Sequence, residues 1–249
     1  VNLEDFRIEL AALLQDTPFA GKVYFAGGCV RDYLSELLFG RQQALTPQSD
    51  IDITVEIENG GIRLAEYLLR SLNAVQFVSF PAFGTAKLRY SEGYMEFVAT
   101  RKEQYRKDSR YPLVSYGTLQ DDVLRRDFTI NALLMDITTG EFIDLTELGM
   151  NDLKDGIIRC VGDPVLKFRE DPLRLLRALR FSLRFGFKLE PETYEAMRFE
   201  GNAIDRLSKS CIKKELDKML MTTPKQDLLV TIHKLRWYSK RLDWMLKPY

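Results

Sequence analysis

Two aspartates, Asp50 and Asp52, lie two positions apart in Ser49-Asp50-Ile51-Asp52-Ile53. The alternation of apolar and acidic residues reads as a β-strand, where residues two apart project from one face. Two neighbouring carboxylates repel unless a cation stands between them, and an oxygen-only pair suits a hard divalent ion such as Mg²⁺. Two such ions activate an attacking hydroxyl and stabilise a leaving phosphate. Taken alone, the pair is more often a solvated edge-strand feature. Glu96, mid-strand in Tyr94-Met95-Glu96-Phe97-Val98, is a third carboxylate. A charge flanked by apolar residues is costly to bury without a partner. It either completes a metal site or turns to solvent.

A second segment, Phe25-Ala26-Gly27-Gly28-Cys29-Val30-Arg31-Asp32, joins a short strand to a helix through two glycines. Such a turn lets the backbone approach a phosphate, and the helix start adds N–H donors. Arg31 supplies a fork suited to phosphate oxygens, and Asp32 pins the turn or Arg31. The chain has one histidine, His233, and three widely spaced cysteines, Cys29, Cys160 and Cys211. That inventory argues against Ser/His, Cys/His and multi-His metal chemistry. The cysteines read as core or half-buried thiols in a reducing compartment.

The positioning elements follow from periodicity. Leu3 to Leu14, Val30 to Phe39 and Ile62 to Leu72 have helical spacing. Lys22 to Ala26 and Ile51 to Glu56 read as strands. Ala86 to Tyr90 and Tyr94 to Ala99 read as a hairpin across Ser91-Glu92-Gly93. Thr100 to Gln120 is polar and aperiodic, and reads as one long loop. Thr129 to Asp136 and Glu141 to Asp144 fit strand or short helix. Beyond about residue 155 the pattern turns helical, with one run from Lys167 to Phe187, a helix from Pro191 and another from Cys211 to Leu220.

Lys plus Arg and Asp plus Glu number 36 each, in 249 residues. The balance argues against binding nucleic acid by bulk charge. It hides an asymmetry: residues 1–157 hold 16 basic and 24 acidic side chains, and residues 158–249 hold 20 and 12. Arg174, Arg177, Arg180 and Arg184 form one helical stripe, with Leu175, Leu176, Leu179 and Leu183 roughly opposite. An arginine stripe is usually a solvated face; beside nucleotide phosphates it becomes a contact surface. No run reaches the roughly 18 apolar residues of a membrane span, and no signal pattern opens the chain. The expected setting is the cytoplasm, with no membrane and no obligate protein partner.

Four motifs occur in order: Gly27-Gly28-Cys29-Val30-Arg31-Asp32, Asp50-Ile51-Asp52, Arg125-Arg126-Asp127-Phe128-Thr129-Ile130-Asn131-Ala132 and Glu170-Asp171-Pro172-Leu173-Arg174. Together they resemble the class II tRNA nucleotidyltransferases, or CCA-adding enzymes, a family that includes bacterial poly(A) polymerases. The resemblance spans about residues 20–220. It implies an α+β fold: a polymerase-β-like nucleotidyltransferase head with a mixed sheet over 1–155, then an all-α neck over 156–222. Residues 223–249 stay unplaced, a remnant of a helical body or tail. It implies that Gly27, Gly28, Arg31 and Asp32 surround the triphosphate. Asp50 and Asp52 become ligands of two Mg²⁺ ions, with Glu96 assisting. Arg125, Arg126, Asp127 and Asn131 recognise the ribose and nucleotide. Glu170, Asp171, Arg174 and Arg177 recognise the base, Asp171 and Arg174 acting as an amino-acid template.

The implied reaction adds C and A, from CTP and ATP, to a tRNA 3′ end and releases pyrophosphate. Poly(A) polymerase and CC-only or A-only activities share the motifs. A non-catalytic RNA-binding relative and a phosphodiesterase are readings of other classes. The loop at 100–120, with Arg101, Tyr105, Arg106, Arg110 and Tyr111, resembles the family's mobile segment and favours an enzyme able to add A. The segment around Arg206 and Glu215 resembles the helical neck more loosely. The family usually runs on well past this length, so the sequence is expected to be a fragment or a join of separate pieces.

Overall fold

The computed structural model describes residues 3–40, 50–72, 74–90, 93–106, 109–235 and 237. Two compact units emerge. The first takes in 1–104, 113–126 and 130–150, and the second 105–112, 127–129 and 151–249.

The first unit is built on a seven-stranded mixed sheet. Its strands are β1 (Val23–Ala26), β2 (Asp50–Val55), β3 (Gln76–Phe80), β4 (Thr85–Tyr90), β5 (Gly93–Ala99), then β8 (Leu134–Asp136) and β9 (Phe142–Ile143). Their order is β3-β4-β5-β2-β1-β8-β9. Helices α1 (Leu3–Leu14), α2 (Gly28–Phe39) and α3 (Gly60–Ser71) belong to the same unit. Ile51, Ile53, Val55, Met95 and Phe97 are buried on one face. Asp52 and Glu96 alternate with them and stay half-buried. Helix α3 lies close on the sheet at Gly61, where a Cβ would stand 2.8 Å from the carbonyl oxygens of Gly84 and Phe97.

The pair β2 and β5 is parallel, with Asp50 opposite Tyr94 and Asp52 opposite Glu96. A parallel pair needs a crossover, supplied here by α3, β3 and β4. The expected β4–β5 hairpin is present and antiparallel; its turn residues Ser91 and Glu92 lie outside the described residues.

The region 100–120 corrects the sequence reading. It holds a two-stranded ribbon, β6 (Arg101–Gln104) with β7 (Leu113–Tyr116), and the start of α4 (Leu119–Leu124). The β7 side chains are all exposed and β6 only alternates in part. Strand β6 turns only the charged Arg101 and Glu103 inward, so the ribbon leaves no apolar period to read. Residues 107 and 108 lie outside the described residues. Helix α4 opens on a capping box: Thr118 accepts from the Asp121 backbone, and Asp121 accepts from the Thr118 backbone. Strand β3, too, has no counterpart in the sequence reading.

The second unit is mostly helical: α6 (Pro164–Glu170), α7 (Leu173–Phe185), α8 (Pro191–Glu200), α9 (Lys209–Leu220) and α10 (Lys225–Lys234). The helix α5 (Gly149–Asp155) precedes them, and a short parallel pair joins β10 (Ile157–Ile158) to β11 (Lys188–Leu189). The run expected from 167 to 187 is broken. Pro172 disfavours helical geometry at the residue before it, and Asp171 is extended, with φ −137° and ψ 102°. Phe128, Phe168, Leu175, Leu176, Leu179 and Met197 are fully buried in this unit. Among the described residues no helix is long and apolar enough to cross a membrane.

Candidate active site

In the first unit the glycine turn leads from β1 into α2. Gly27 has φ +71°, a conformation L side chains rarely adopt. A Cβ on Gly27 would stand 3.2 Å from Arg126 Nη1 and 3.5 Å from Asp52 Oδ2. The missing side chain thus keeps open a space bordered by a guanidinium and a carboxylate. Asp52 stands across the β1–β2 pair from Ala26. Glu96 stands across β2–β5 from Asp52, and its Oε2 takes a 2.7 Å ion pair from Lys87 Nζ on β4. The row Lys87, Glu96, Asp52 and Ala26 therefore crosses four strands in register. Asp50 opens β2, two positions from Asp52.

Asp52 and Glu96 are adjacent oxygen donors, which fits a hard divalent cation. Among the described residues no group of three or more His, Cys, Asp or Glu side chains gathers as a metal cage.

Arg31 is buried and engaged. Its Nε donates to Asp32 Oδ1 at 2.8 Å, and its Nη1 donates to Asn131 Oδ1. Asp32 thus pins Arg31, one of the two roles its position allowed. Arg126 donates from Nη1 to the Asn131 carbonyl (3.3 Å) and from Nη2 to Thr54 Oγ1 (3.2 Å). Burial pushes the Cys29 thiol up to about 12, so it stays neutral beside this turn. Cys160 is likewise pushed up to about 12 by burial.

In the second unit, Asp127 accepts from the Phe128 backbone at 2.8 Å and from Arg177 Nε at 2.6 Å. Asp127 raises the Arg177 pKa above its ordinary value. Arg174 is buried and donates from Nη1 to Glu170 Oε2 (2.8 Å) and to the Lys167 carbonyl (3.0 Å). Its Nη2 donates to the Tyr105 hydroxyl at 3.4 Å, and its guanidinium lies 5.8 Å from that ring. Burial acts to lower the Arg174 pKa, and Glu170 and Tyr105 turn it upward. Asp171 Oδ1 accepts from the Leu173 backbone at 3.1 Å and pairs with Arg110 Nε at 3.2 Å. Cys211 is half-buried; Ser208 and then Arg110 lower its pKa.

The arginine stripe of α7 is not simply a solvated face. Arg174 meets Glu170, Arg177 meets Asp127, and Arg180 meets Glu215 at 2.7 Å. Arg184 alone of the four is exposed. Three contributors escaped sequence reasoning. Asp122 is wholly buried and holds both Arg125 and Arg126. Its spacing three and four residues before them on a helix was a readable signal. Glu103 and Lys87, on strands, carried no such signal.

A mixed sheet with a carboxylate row beside a glycine turn, followed by helices, is the architecture of a nucleotidyltransferase head. Residues 23–159, more than half of the chain, match the Poly A polymerase head domain, and the chain belongs to that family. An A-adding tRNA nucleotidyltransferase of Aquifex aeolicus is 38% identical over 179 residues, 71% of this chain and 20% of that protein. A CCA-adding enzyme of Lactobacillus helveticus is 36% identical over 221 residues, 88% of this chain and 51% of that protein. The structure of a Thermotoga maritima CCA-adding enzyme complexed with tRNA superposes with a TM-score of 0.73 at 29% identity, over 94% of this chain and 50% of that one. The chain therefore spans about half the length of the CCA-adding relatives, and less of the A-adding one.

Proposed function

We propose that this chain carries the catalytic head and neck of a tRNA nucleotidyltransferase that adds C and A to tRNA 3′ ends from CTP and ATP. The observation that carries the reading is the register of Asp52 with Glu96 beside the open Gly27 turn and Arg126. The resemblance of the chain to CCA-adding enzymes supports the substrate class.

Asp50 and Asp52 would hold divalent ions, with Glu96 assisting. Mg²⁺ bound there lowers the pKa of the terminal hydroxyl and stabilises the charge developing on phosphate. Gly27 and Gly28 leave room for the triphosphate against the start of α2. Arg126 faces that space, and Arg31, held by Asp32 and Asn131, backs it with fixed charge. Arg125, Asp127 and Asn131 act on the ribose. The tRNA 3′-hydroxyl attacks the α-phosphate and pyrophosphate leaves.

Base choice rests on Asp171 and Arg174, with Glu170 and Arg177 holding the surroundings. A carboxylate only accepts hydrogen bonds and a guanidinium only donates them. Cytosine and adenine each offer an amino donor beside a ring-nitrogen acceptor. The amino group takes the acceptor that Arg110 now fills. Guanine and uracil present a carbonyl there and leave Asp171 repelled and unpaired.

The test is incubation of the chain with tRNA lacking its 3′ CCA, Mg²⁺ and each nucleotide singly and together. Elongation by CTP and then ATP, with pyrophosphate release, is the expected result. No elongation by CTP on that tRNA, with elongation by ATP on tRNA ending in CC, would instead fit the A-adding relative. RNA shortening would refute nucleotidyl transfer.

A further inference from the structure

Asp122 lies outside the motifs that carry the family resemblance. Its carboxylate, on α4, is wholly buried. Oδ1 accepts from Arg125 Nε at 2.8 Å and pairs with Arg125 Nη2 at 2.7 Å; Oδ2 accepts from Arg126 Nη2 at 2.9 Å. One anion is thus divided between two consecutive cations. Burial alone would push the Asp122 carboxyl up, and the two guanidinium groups more than reverse that, holding it below the ordinary value.

From this fork the two arginines part. Arg126 reaches Thr54 on β2 and the Asn131 carbonyl, and its Nη1 borders the space above Gly27. Arg125 reaches Glu103 of β6 at 3.6 Å, and Glu103 takes Arg101 at 2.7 Å. Charges therefore alternate along Arg101, Glu103, Arg125, Asp122 and Arg126. Adjacent like charges repel, and a buried carboxylate between them fixes where each one goes. Among the described residues Arg126 has three anchors: Asp122 on α4, Thr54 on the metal-carboxylate strand, and the Asn131 carbonyl. Only Asp122 carries a charge that opposes its own.

We propose that Asp122 is a positioning residue for nucleotide phosphates: it aims Arg126 at the Gly27 turn and keeps Arg125 turned toward β6. The proposal rests on the reading of that turn as the triphosphate cradle. It assigns Asp122 no contact with substrate. Its effect on phosphate passes through Arg126; Arg125 keeps its second partner, Glu103, when the Asp122 charge is removed, so sugar affinity changes far less than phosphate affinity.

The test compares the full chain with its Asp122→Asn variant in equilibrium titrations with CTP, inorganic tripolyphosphate and cytidine, all with Mg²⁺. Asparagine keeps the shape and one acceptor, but sets an NH₂ group against one of the guanidinium groups. CTP and tripolyphosphate should each bind about tenfold more weakly, the scale of one charge-assisted hydrogen bond. Cytidine affinity should change less than about twofold on the same scale. A second variant, Glu103→Gln, should leave tripolyphosphate affinity within about twofold, because it touches only the Arg125 branch. If Asp122→Asn does not fold, Asp122→Glu keeps the charge but displaces it, and should still weaken tripolyphosphate binding several-fold. Equal weakening of all three ligands would overturn the proposal, as would unchanged tripolyphosphate affinity. A wild-type chain that binds neither CTP nor tripolyphosphate would overturn the functional reading itself.

Discussion

Glu215→Ala should destabilise the second unit by about 3 kcal/mol, the low end for leaving a buried charge without its partner. The Glu215 carboxylate is 5% exposed, and its Oε2 stands 2.7 Å from Arg180 Nε. The Arg180 side chain is 11% exposed. Its guanidinium lies 4.3 Å from the Phe181 ring. That ring contact survives the substitution and cushions the loss, which selects the low end of the range. The second contact, Lys218 at 3.2 Å, has a lysine 54% exposed and adds well under about 1 kcal/mol after solvent screening. Burial already lowers the Arg180 pKa, and Glu215 opposes that. Removing Glu215 therefore strands a desolvated cation. Glu215→Gln keeps an acceptor and should cost about 1 kcal/mol. Urea unfolding at pH 7, followed by tryptophan fluorescence, measures both, since Trp237 packs in the same unit. The buried pair should respond little to added salt. A Glu215→Ala loss below about 1 kcal/mol with an unchanged m-value would refute the claim that this carboxylate neutralises a buried charge.

Asp52→Ala should abolish nucleotide incorporation while leaving the thermal midpoint within a few degrees; Mg²⁺-dependent activity surviving in that variant would sink the site assignment. Gly201→Ala places a Cβ 2.2 Å from Trp237 Cδ1, so the indole must leave and lose its 2.8 Å bond to the Met197 carbonyl. We expect a cost of about 1–3 kcal/mol and a red-shifted tryptophan emission. Because the Asp122 carboxyl is held below its ordinary value, its stabilising contribution is present at neutral pH and lost as the pH falls through the lowered folded value. The stability gap between wild type and Asp122→Asn should be flat from about pH 7 to 5 and close below about pH 4. Urea midpoints across that range read it directly.

Much of the site was legible because its chemistry constrains local sequence. Gly27 and Gly28 announce a turn, and the alternation around Asp50, Asp52 and Glu96 fixes which face each occupies. The structure makes the two strands neighbours and puts Asp52 and Glu96 in one row, a pairing that the strand patterns allowed without requiring. The β6–β7 ribbon was not legible, because β7 is exposed on both faces and β6 turns only charged residues inward, which leaves no apolar period. The ion-pair partners of the stripe on α7 were not legible for another reason. A helical wheel shows which side chains share a face, but not the carboxylates that meet them, and Asp127 and Glu215 come from distant segments. The break at Asp171 was legible from Pro172 and was overridden by a strong helical pattern on either side.

The parallel register of β2 with β5 also predicts which length changes this chain tolerates. The connections around β3 and β4 set no register between those two strands, and surface connections accept insertions readily. A single residue added inside β2 or β5 is another matter. It turns every later side chain of that strand to the opposite face, sending Glu96 or Asp52 into the layer now held by Ile53 and Phe97. Over generations the crossover can lengthen or shorten while the two strands cannot, so length variation in this head should collect between the strands and stop abruptly at their ends.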